Sequence, residues 1–285
     1  MKKVSTKHAR VRLFVHAGVG LAVVLALAAP AGAQYRPRPL NDPATGELYH
    51  IEVGAAFWSP SSEMIVASGG SGPLTGIAGT EIDAKRDLGF TDSRLPQLQL
   101  VLRPAAAHKF RFQYIPIKYE ASATVSRDIV FNGIRYTIGL PVNSLLQWKA
   151  ARFGYEYDFV RKNRGFGGFI LEAKYTDVRV ELSTPIQSEF AHARAPIPAI
   201  GGIGRYYVVP NISITGEVTG FKLPDSIDNR YQAHYVDVDI YGTVNFTNNV
   251  GVQGGYRSLD LGYAIKQDVG SFVLKGIYFG IVARY

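Results

Sequence analysis

The chain has 285 residues, a formal net charge of +8 and no cysteine. The absence of cysteine excludes disulfide bonds and thiolate chemistry. Five of the positive charges lie in the first 12 residues, so the rest of the chain carries only about +3, and this balance gives no reason to expect a nucleic-acid partner.

The first 33 residues have the organisation of a secretory signal peptide. A basic stretch without acids precedes the apolar run 13–30, and Ala31-Gly32-Ala33 supplies the small residues of a cleavage site. The alternative is an uncleaved membrane anchor, which requires about 20 apolar residues. Because the small residues favour cleavage, we expect an exported protein that starts after Ala33 with a polar, proline-rich lead-in, residues 34–47.

Alternation of apolar and polar residues predicts ten β-strands along the rest of the chain. They lie at about 48–58, 96–103, 109–119, 143–159, 166–180, 198–208, 211–222, 233–246, 250–263 and 271–285. Long connections alternate with short ones, and the short ones are 104–108, 160–165, 209–211 and 247–249. Transmembrane β-barrels are connected in this way, with the short turns in the periplasm and the long loops outside.

Two of the long connections contain further structural signals. Within residues 60–95, the segment TEIDAKRDLG is a candidate strand, so a barrel of twelve strands is an alternative to ten. Within residues 120–142, Asn132-Gly133 is a strong two-residue hairpin turn. We expect this turn to lie at the tip of a ribbon that the third and fourth strands form above the membrane.

The two faces of the predicted strands differ in charge. One face carries no charged residue, whereas the other carries seven acids and eight bases: Glu52, Arg103, Lys109, Arg111, Arg152, Glu156, Asp158, Glu172, Lys174, Arg205, Glu217, Asp237, Asp239, Arg257 and Arg284. Aromatic residues of the uncharged face gather beside the short turns: Phe110, Tyr155, Tyr157, Phe159, Tyr206, Phe246 and Tyr285. Aromatic girdles mark membrane interfaces. We therefore expect the uncharged face to contact lipid and the charged face to line a lumen.

The last strand keeps this alternation to its final residue. The sequence GIYFGIVARY places an apolar residue at every second position up to Tyr285. A lipid-exposed sheet has to close, because an open edge leaves backbone groups without hydrogen-bond partners in hydrocarbon. We therefore expect the last strand to close a barrel, with Tyr285 at the periplasmic interface.

These features together resemble bacterial outer-membrane β-barrel proteins of the small porin-like and OmpA/OmpW-like kind. The resemblance rests on the signal peptide, the alternating strands and the terminal FGIVARY. It implies an all-β fold over residues 48–285: a closed antiparallel transmembrane β-barrel of about ten strands, or alternatively twelve or eight, in the cell outer membrane. It also implies contact with outer-membrane lipids and export machinery, and recognition by the barrel-assembly machinery through Phe279, Ile281 and Tyr285. The oligomeric state is left open.

The segment HYVDVD is the strongest local candidate for catalysis. Asp237 and Asp239 lie two residues apart and therefore face the same side, and two close carboxylates raise the pKa of one of them, which suits a general base. The pair resembles the acidic pairs of outer-membrane proteases, which are also ten-stranded. However, His234 faces the opposite side, and arginines on neighbouring strands would neutralise both acids.

We therefore predict no catalytic, cofactor-binding or metal-binding residue and favour a non-enzymatic barrel. One hypothesis is a narrow pore for small solutes, lined by Glu52, Arg111, Arg152, Glu156, Glu172, Lys174, Arg205, Glu217, Asp237, Asp239 and Arg257. Another is a plugged structural or surface-interaction barrel, in which these charges pair across the lumen, since the interior of an eight-stranded barrel is just wide enough for side chains. The alternative is an outer-membrane enzyme, of a protease or lipid-modifying type, with its site at the extracellular rim.

Overall fold

The computed structural model describes residues 44–70, 75–185, 187–224, 231–265 and 268–285. The predicted signal peptide, with Ala31 and Ala33, and residues 34–43 lie outside the described residues. Among the described residues, no helix is long and apolar enough to cross a membrane.

The described residues form thirteen strands and one short helix. The elements are β1 (Ile51–Ala67), β2 (Ile82–Asp83), α1 (Ala84–Leu88), β3 (Leu95–Ala105), β4 (His108–Thr124), β5 (Ile129–Phe131), β6 (Ile134–Tyr136), β7 (Pro141–Lys162), β8 (Gly165–Thr184), β9 (Gln187–Val209), β10 (Ile212–Lys222), β11 (Tyr231–Asn245), β12 (Val250–Ile265) and β13 (Asp268–Arg284). Eleven of the strands form one sheet, and ten of them build the barrel wall in the order β1, β3, β4, β7 and then β8 to β13, each antiparallel to its neighbours.

The sheet closes on itself between its first and last strands. β13 pairs with β1 from Glu52↔Arg284 to Ala67↔Val269. Tyr285 continues this closure, since its N–H donates to the carbonyl oxygen of Ile51 and its own carbonyl accepts from the N–H of Ile51, each at 2.9 Å. The ten predicted strands and the closed antiparallel barrel are confirmed, and the alternatives of eight and twelve strands are wrong.

The outer surface of the barrel carries a belt of exposed apolar side chains. Phe57 is 65% exposed and Ile277 is 69% exposed, although both are large and apolar. Above the belt, the outward positions become charged, as at Lys149, Asp177 and Arg194, which are cross-strand neighbours on β7, β8 and β9. A closed barrel with such a belt pairs the backbone groups at the level of the belt while its exterior meets hydrocarbon. The protein is therefore a β-barrel of the outer membrane.

Several strands are longer at their extracellular ends than the sequence indicates. β1 continues nine residues beyond the predicted end at residue 58, and β9 begins eleven residues before the predicted start at residue 198. In these extensions polar or charged outward residues, such as Ser61 and Glu63, interrupt the apolar outward residues Ile65 and Phe190, so the continuous apolar face that identified the strands is lost there. The strands persist because their inward residues, such as Met64 and Val66, pack into a core.

Half of the candidate strand TEIDAKRDLG is instead helical. Asp83 is the N-cap of α1, and its carboxylate accepts hydrogen bonds from the N–H groups of Lys85 and Arg86 at 3.0 Å each. Gly89 ends the helix with φ at 73°, a left-handed conformation that favours glycine. Only β2 extends from this segment into the sheet, where it pairs with the end of β1.

The Asn132-Gly133 turn is confirmed, but its expected position is wrong. It joins β5 to β6, whereas β4 and β7 pair directly with each other as far as Thr124↔Pro141. The hairpin crosses the mouth of the barrel. The N–H of Asn132 donates to the carbonyl oxygen of Ser68, just beyond β1. The hydroxyl of Tyr136 donates to the carbonyl oxygen of Leu182 on β8. The connection therefore covers the lumen rather than extending from its wall.

Candidate functional site

The barrel interior is divided into two layers of different character. The periplasmic half contains a network of buried ion pairs. The extracellular half contains a hydrophobic core, made from Trp58, Met64, Val66, Leu95, Ile115, Ile117, Leu146, Trp148, Val178, Val180, Leu182, Leu259, Leu261, Phe272 and Leu274. Both layers are formed by inward-facing residues of the same strands, at different heights in the barrel.

Glu217 of β10 and Glu156 of β7 organise one side of the charged layer. Glu217 accepts hydrogen bonds from Arg111 at 2.7 Å and from Arg152 at 2.5 Å. Glu156 accepts from Lys109 at 2.6 Å and from Arg111 at 2.5 Å. Arg111 therefore bridges two carboxylates that lie on strands far apart in the barrel.

Asp237 of β11 organises the other side. Arg257 donates to both of its carboxylate oxygens, at 2.9 and 2.7 Å, and the Lys174 ammonium donates at 3.1 Å. Lys174 also lies 3.1 Å from Glu172, which in turn lies 3.3 Å from Arg152. The ion pairs therefore form one continuous network across the lumen.

A further group of ion pairs lies at the periplasmic end and involves Glu47, which precedes the first strand. Glu47 accepts hydrogen bonds from Arg205 at 2.9 Å and from the Tyr207 hydroxyl at 2.7 Å. Burial by itself would raise the pKa of Glu47, but the positive charges of Arg205 and Lys109 and these hydrogen bonds hold its pKa below the ordinary value. The lead-in thus contributes an ionised carboxylate to the lumen.

Aromatic rings mark the boundary between the two layers. The Arg257 guanidinium lies over the Trp58 ring, 5.6 Å from its centroid, and the Lys174 ammonium lies 4.2 Å from the centroid of Tyr235. The indole N–H of Trp58 donates to the carbonyl oxygen of Gly276 at 3.1 Å. Cations on aromatic faces allow the charged layer to meet the apolar layer without leaving its charges unpartnered.

The extracellular end of the apolar layer is covered by a cap, which consists of residues 82–89, with β2 and α1, and residues 126–139, with the β5–β6 hairpin. Ile82, Leu88, Ile129 and Phe131 of the cap are buried against the core. Arg127 holds the two parts of the cap together by donating to the Asp87 carboxylate at 2.7 and 3.2 Å.

Asp87 remains ionised in this cap. Burial would raise the pKa of Asp87, but hydrogen bonds from Arg127, Arg86 and the N–H of Asp83 outweigh it and place this pKa well below the usual range. The contact between Arg127 and Asp87 is therefore an ion pair at neutral pH.

The residues predicted to line the lumen all lie inside the barrel. Glu52, Arg111, Glu156, Glu172, Lys174, Arg205, Glu217, Asp237, Asp239 and Arg257 are buried, and the Arg152 side chain is 9% exposed. Glu52 is held by Arg284 of the last strand, at 2.5 Å. In contrast, the predicted assembly residues Phe279, Ile281 and Tyr285 are exposed on the outer surface.

The structure does not bring the HYVDVD segment together as a catalytic group. Asp237 is bound by Arg257 and Lys174, and Asp239 accepts from the Tyr278 hydroxyl at 3.0 Å. His234 faces outwards and lies 3.2 Å from Asp260. Both aspartates lie below the apolar layer, away from the extracellular rim. Among the described residues, no group of three or more His, Cys, Asp or Glu residues is arranged to hold a metal ion.

Sequence reasoning missed the apolar layer, although the signal was present. The inward face was recognised from its charges, such as Arg152 and Glu156 on β7. Four and ten residues before Arg152, the same face carries Trp148 and Val142, both buried. A count of large apolar residues on the charged face would have revealed that its extracellular part is not a polar lining.

Comparisons with known proteins support the fold alone. The sequence matches no protein family and no curated protein. The structure is similar to the outer-membrane protease OmpT of Escherichia coli, with 8% identity, 87% of this chain and 100% of that chain covered, and a TM-score of 0.54. The toluene transporter TodX of Pseudomonas putida (9% identity, 86% and 92% covered) and the attachment invasion locus protein Ail of Yersinia pestis (9% identity, 81% and 99% covered) match with TM-scores of 0.35. The described chain thus has the fold of bacterial outer-membrane barrels.

Proposed function

We propose that this outer-membrane barrel conducts no solutes and acts through its extracellular surface. The observation that supports the proposal is the apolar layer, which fills the extracellular half of the lumen. Trp58, Trp148 and Phe272 are fully buried there, and the rings of Trp148 and Phe272 contact each other with their centroids 5.8 Å apart. A hydrated ion that crosses this layer would lose its water without finding polar replacements.

The charged layer also suits a closed barrel better than a pore. Most of its carboxylates lie against arginine or lysine, and Glu217 and Asp237 are each held by two or more cations, whereas Asp239 accepts from the Tyr278 hydroxyl. Groups that select ions have to exchange partners with the passing ion, whereas these pairs are buried and mutually neutralised. Ten strands also enclose an interior near the size that side chains alone fill.

We propose further that the protein is not an enzyme. Of the acidic pair that first suggested catalysis, Asp237 is held by Arg257 and Lys174, and Asp239 accepts a hydrogen bond from the Tyr278 hydroxyl. Both lie beneath the apolar layer. A substrate at the extracellular surface would have to pass Trp58 and Trp148 to reach them.

Lipids and the assembly machinery are the proposed partners of the outer surface. Phe279 and Ile281 are more than half exposed in the apolar belt, and Tyr285 ends the row at 85% exposed. These side chains are available to lipid in the folded barrel and to the assembly machinery before closure.

Conductance of the refolded mature chain in a planar bilayer tests the closed lumen, after heat-shifted gel mobility has verified folding. We expect no discrete channels from the wild-type protein. A variant that lacks residues 126–139 and carries Trp148→Ala should gain conductance, because it removes the hairpin part of the cap and one of the largest side chains of the apolar layer. A variant with Phe153→Ala on the lipid-facing side of β7 is the matched control and should stay silent. Discrete wild-type channels with an ion selectivity that changes in Arg152→Ala would overturn the proposal.

A further inference from the structure

The wall of the barrel has an unpaired strand edge above the membrane. β9 pairs with β8 along nearly its whole length, beginning at Gln187↔Thr184, but it pairs with β10 only from Ile200 onwards. Within the described residues, segment 187–199 therefore has a neighbour on one side only. Residues 187–199 are the β9 edge.

Two prolines explain why the pairing with β10 stops. The last pair is Ile200↔Gly220, and the next positions along β9 include Pro198 and Pro196. Proline has no N–H to donate to a ladder, so β10 cannot continue to pair along these residues. β10 ends at Lys222, so the barrel wall on this side of β9 is shorter than β9 itself.

Backbone groups of the β9 edge point into this gap. The N–H of Tyr207 donates towards the β8 side, to Arg164, and the register between β8 and β9 is regular from Tyr206 to Gln187. The backbone N–H and C=O groups of successive residues point to opposite sides of a strand. Those of odd-numbered residues therefore point to β8, and those of even-numbered residues point into the gap. Four N–H groups are thus presented to the gap, from Ser188, Phe190, His192 and Arg194.

The side of the β9 edge that faces the barrel interior borders a cavity. This cavity of about 270 Å³ is lined by Val178, Val180, Ala191, Ala193, Phe131 and Tyr263, among others. The alanines of β9 are small, so they leave room beside the apolar residues of β8 and the cap. The lining also includes the polar residues Ser68, His192, Arg194 and Asp268. A strand lying along the β9 edge would direct every second side chain towards the part of this cavity that the apolar residues form.

We infer that the β9 edge binds an extended peptide segment of a partner protein by strand addition, with apolar side chains at alternate positions of the peptide. Unpaired main-chain groups supply the hydrogen bonds and the adjacent cavity selects the side chains, which is the division of roles in this mode of recognition. The site lies above the lipid belt, because its outward residues His192 and Arg194 are charged or polar and exposed. The inference rests on the proposed function, since a closed barrel has to act through its outer surface.

The probe for the test is a synthetic peptide with the sequence TDVRVELST. It copies residues 176–184 of β8, which already pair with the β9 edge on its other side and carry Val, Val and Leu at alternate positions. Binding to the folded full barrel in detergent micelles is measured by fluorescence anisotropy. We expect saturable binding, and weaker or no binding of a peptide of the same composition whose apolar residues are adjacent.

Two variants separate backbone from side-chain recognition. Phe190→Pro with His192→Pro removes two N–H donors that face the gap and leaves the β8 ladder intact, so we expect binding to weaken about tenfold or more. Phe190→Ala with His192→Ala keeps both donors and should bind within about threefold of the wild type. Heat-shifted mobility of both variants confirms that they fold.

Three results would overturn the inference: no saturable binding of the probe, equal binding by the proline and alanine variants, or slow amide exchange at residues 188, 190, 192 and 194 in the free protein. The last would mean that the edge is already covered. Self-association that the proline variant abolishes, without probe binding, would assign the edge to a second copy instead. Bilayer conductance of the same preparations reports separately on the closed lumen, so failure of either proposal is recognised independently.

Discussion

The two halves of the lumen are built on the same strands but follow different physical rules. On β7, Trp148 and Glu156 lie on one face eight residues apart, one in the apolar layer and the other in the charged layer. The apolar layer is stabilised by removal of surface from water and by close packing, and it needs no particular partner for each side chain. The charged layer needs every partner, because a buried charge that loses its counter-charge is strongly unfavourable. The comparison predicts that the charged half is the more sensitive to single substitutions.

The largest effect is expected from Glu217→Ala in the charged layer. The substitution leaves Arg111 and Arg152 without a shared carboxylate in the barrel interior. We expect the free energy of unfolding to fall by about 3–5 kcal/mol. Urea unfolding of the refolded barrel, followed by tryptophan fluorescence, measures the change.

Val218→Ala is the matched control for this variant. Val218 is the next residue of the same strand and is half exposed in the lipid belt, so its substitution should change stability little. A loss of under about 1 kcal/mol for Glu217→Ala would mean that solvent reaches the charged layer, and the contrast between the halves would not hold.

A smaller effect is expected from Leu274→Ala in the apolar layer. Leu274 is fully buried, so the substitution removes three buried carbons and leaves a cavity that neighbours fill only in part. We expect a loss of about 2–4 kcal/mol in the same urea experiment, within the range for such truncations. Leu274→Met should recover most of this stability, since volume matters here more than the identity of the partner. Failure of methionine to recover it would show that the apolar layer is as specific as the charged one.

The smallest and most local effect is expected in the cap. Asp87→Asn removes an ion pair with Arg127 and should cost about 1–3 kcal/mol, measured as faster amide exchange in β5 and β6. The pKa of Asp87 is depressed on folding, so the contribution of its carboxylate is complete above the ordinary value near 4 and decreases as pH falls through the folded pKa. The difference between wild type and variant should therefore be constant from pH 7 to about pH 5 and shrink below about pH 4. A difference that changes already between pH 7 and pH 6 would mean that a group other than Asp87 stabilises the cap.

The sequence was sufficient for the architecture where the pattern is local. Alternation identified all ten barrel strands, and the strict apolar alternation of the last one indicated closure against β1. It was insufficient where outward residues become polar above the membrane, which is why β9 extends eleven residues beyond its predicted start. It also misassigned TEIDAKRDLG, because a five-residue helix is set by its caps, Asp83 and Gly89, rather than by periodicity.

The candidate site was predictable only as a set of inward-facing charges. Which charges meet depends on strand register around the closed wall, as for Arg111 and Glu217, which are 106 residues apart. The position of the Asn132-Gly133 hairpin across the mouth likewise depends on long-range contacts with Ser68 and Leu182.

By itself, the sequence determined the membrane barrel, a strand number of about ten and the residues of each face, because a period of two is a property of the local backbone. The tertiary structure decided how the lumen is filled, which ion pairs form and where the β9 edge is left open. Those outcomes depend on which strands become neighbours, how far each one pairs and which connection folds inwards. These are contacts between residues far apart in the sequence, so no short stretch of sequence determines them.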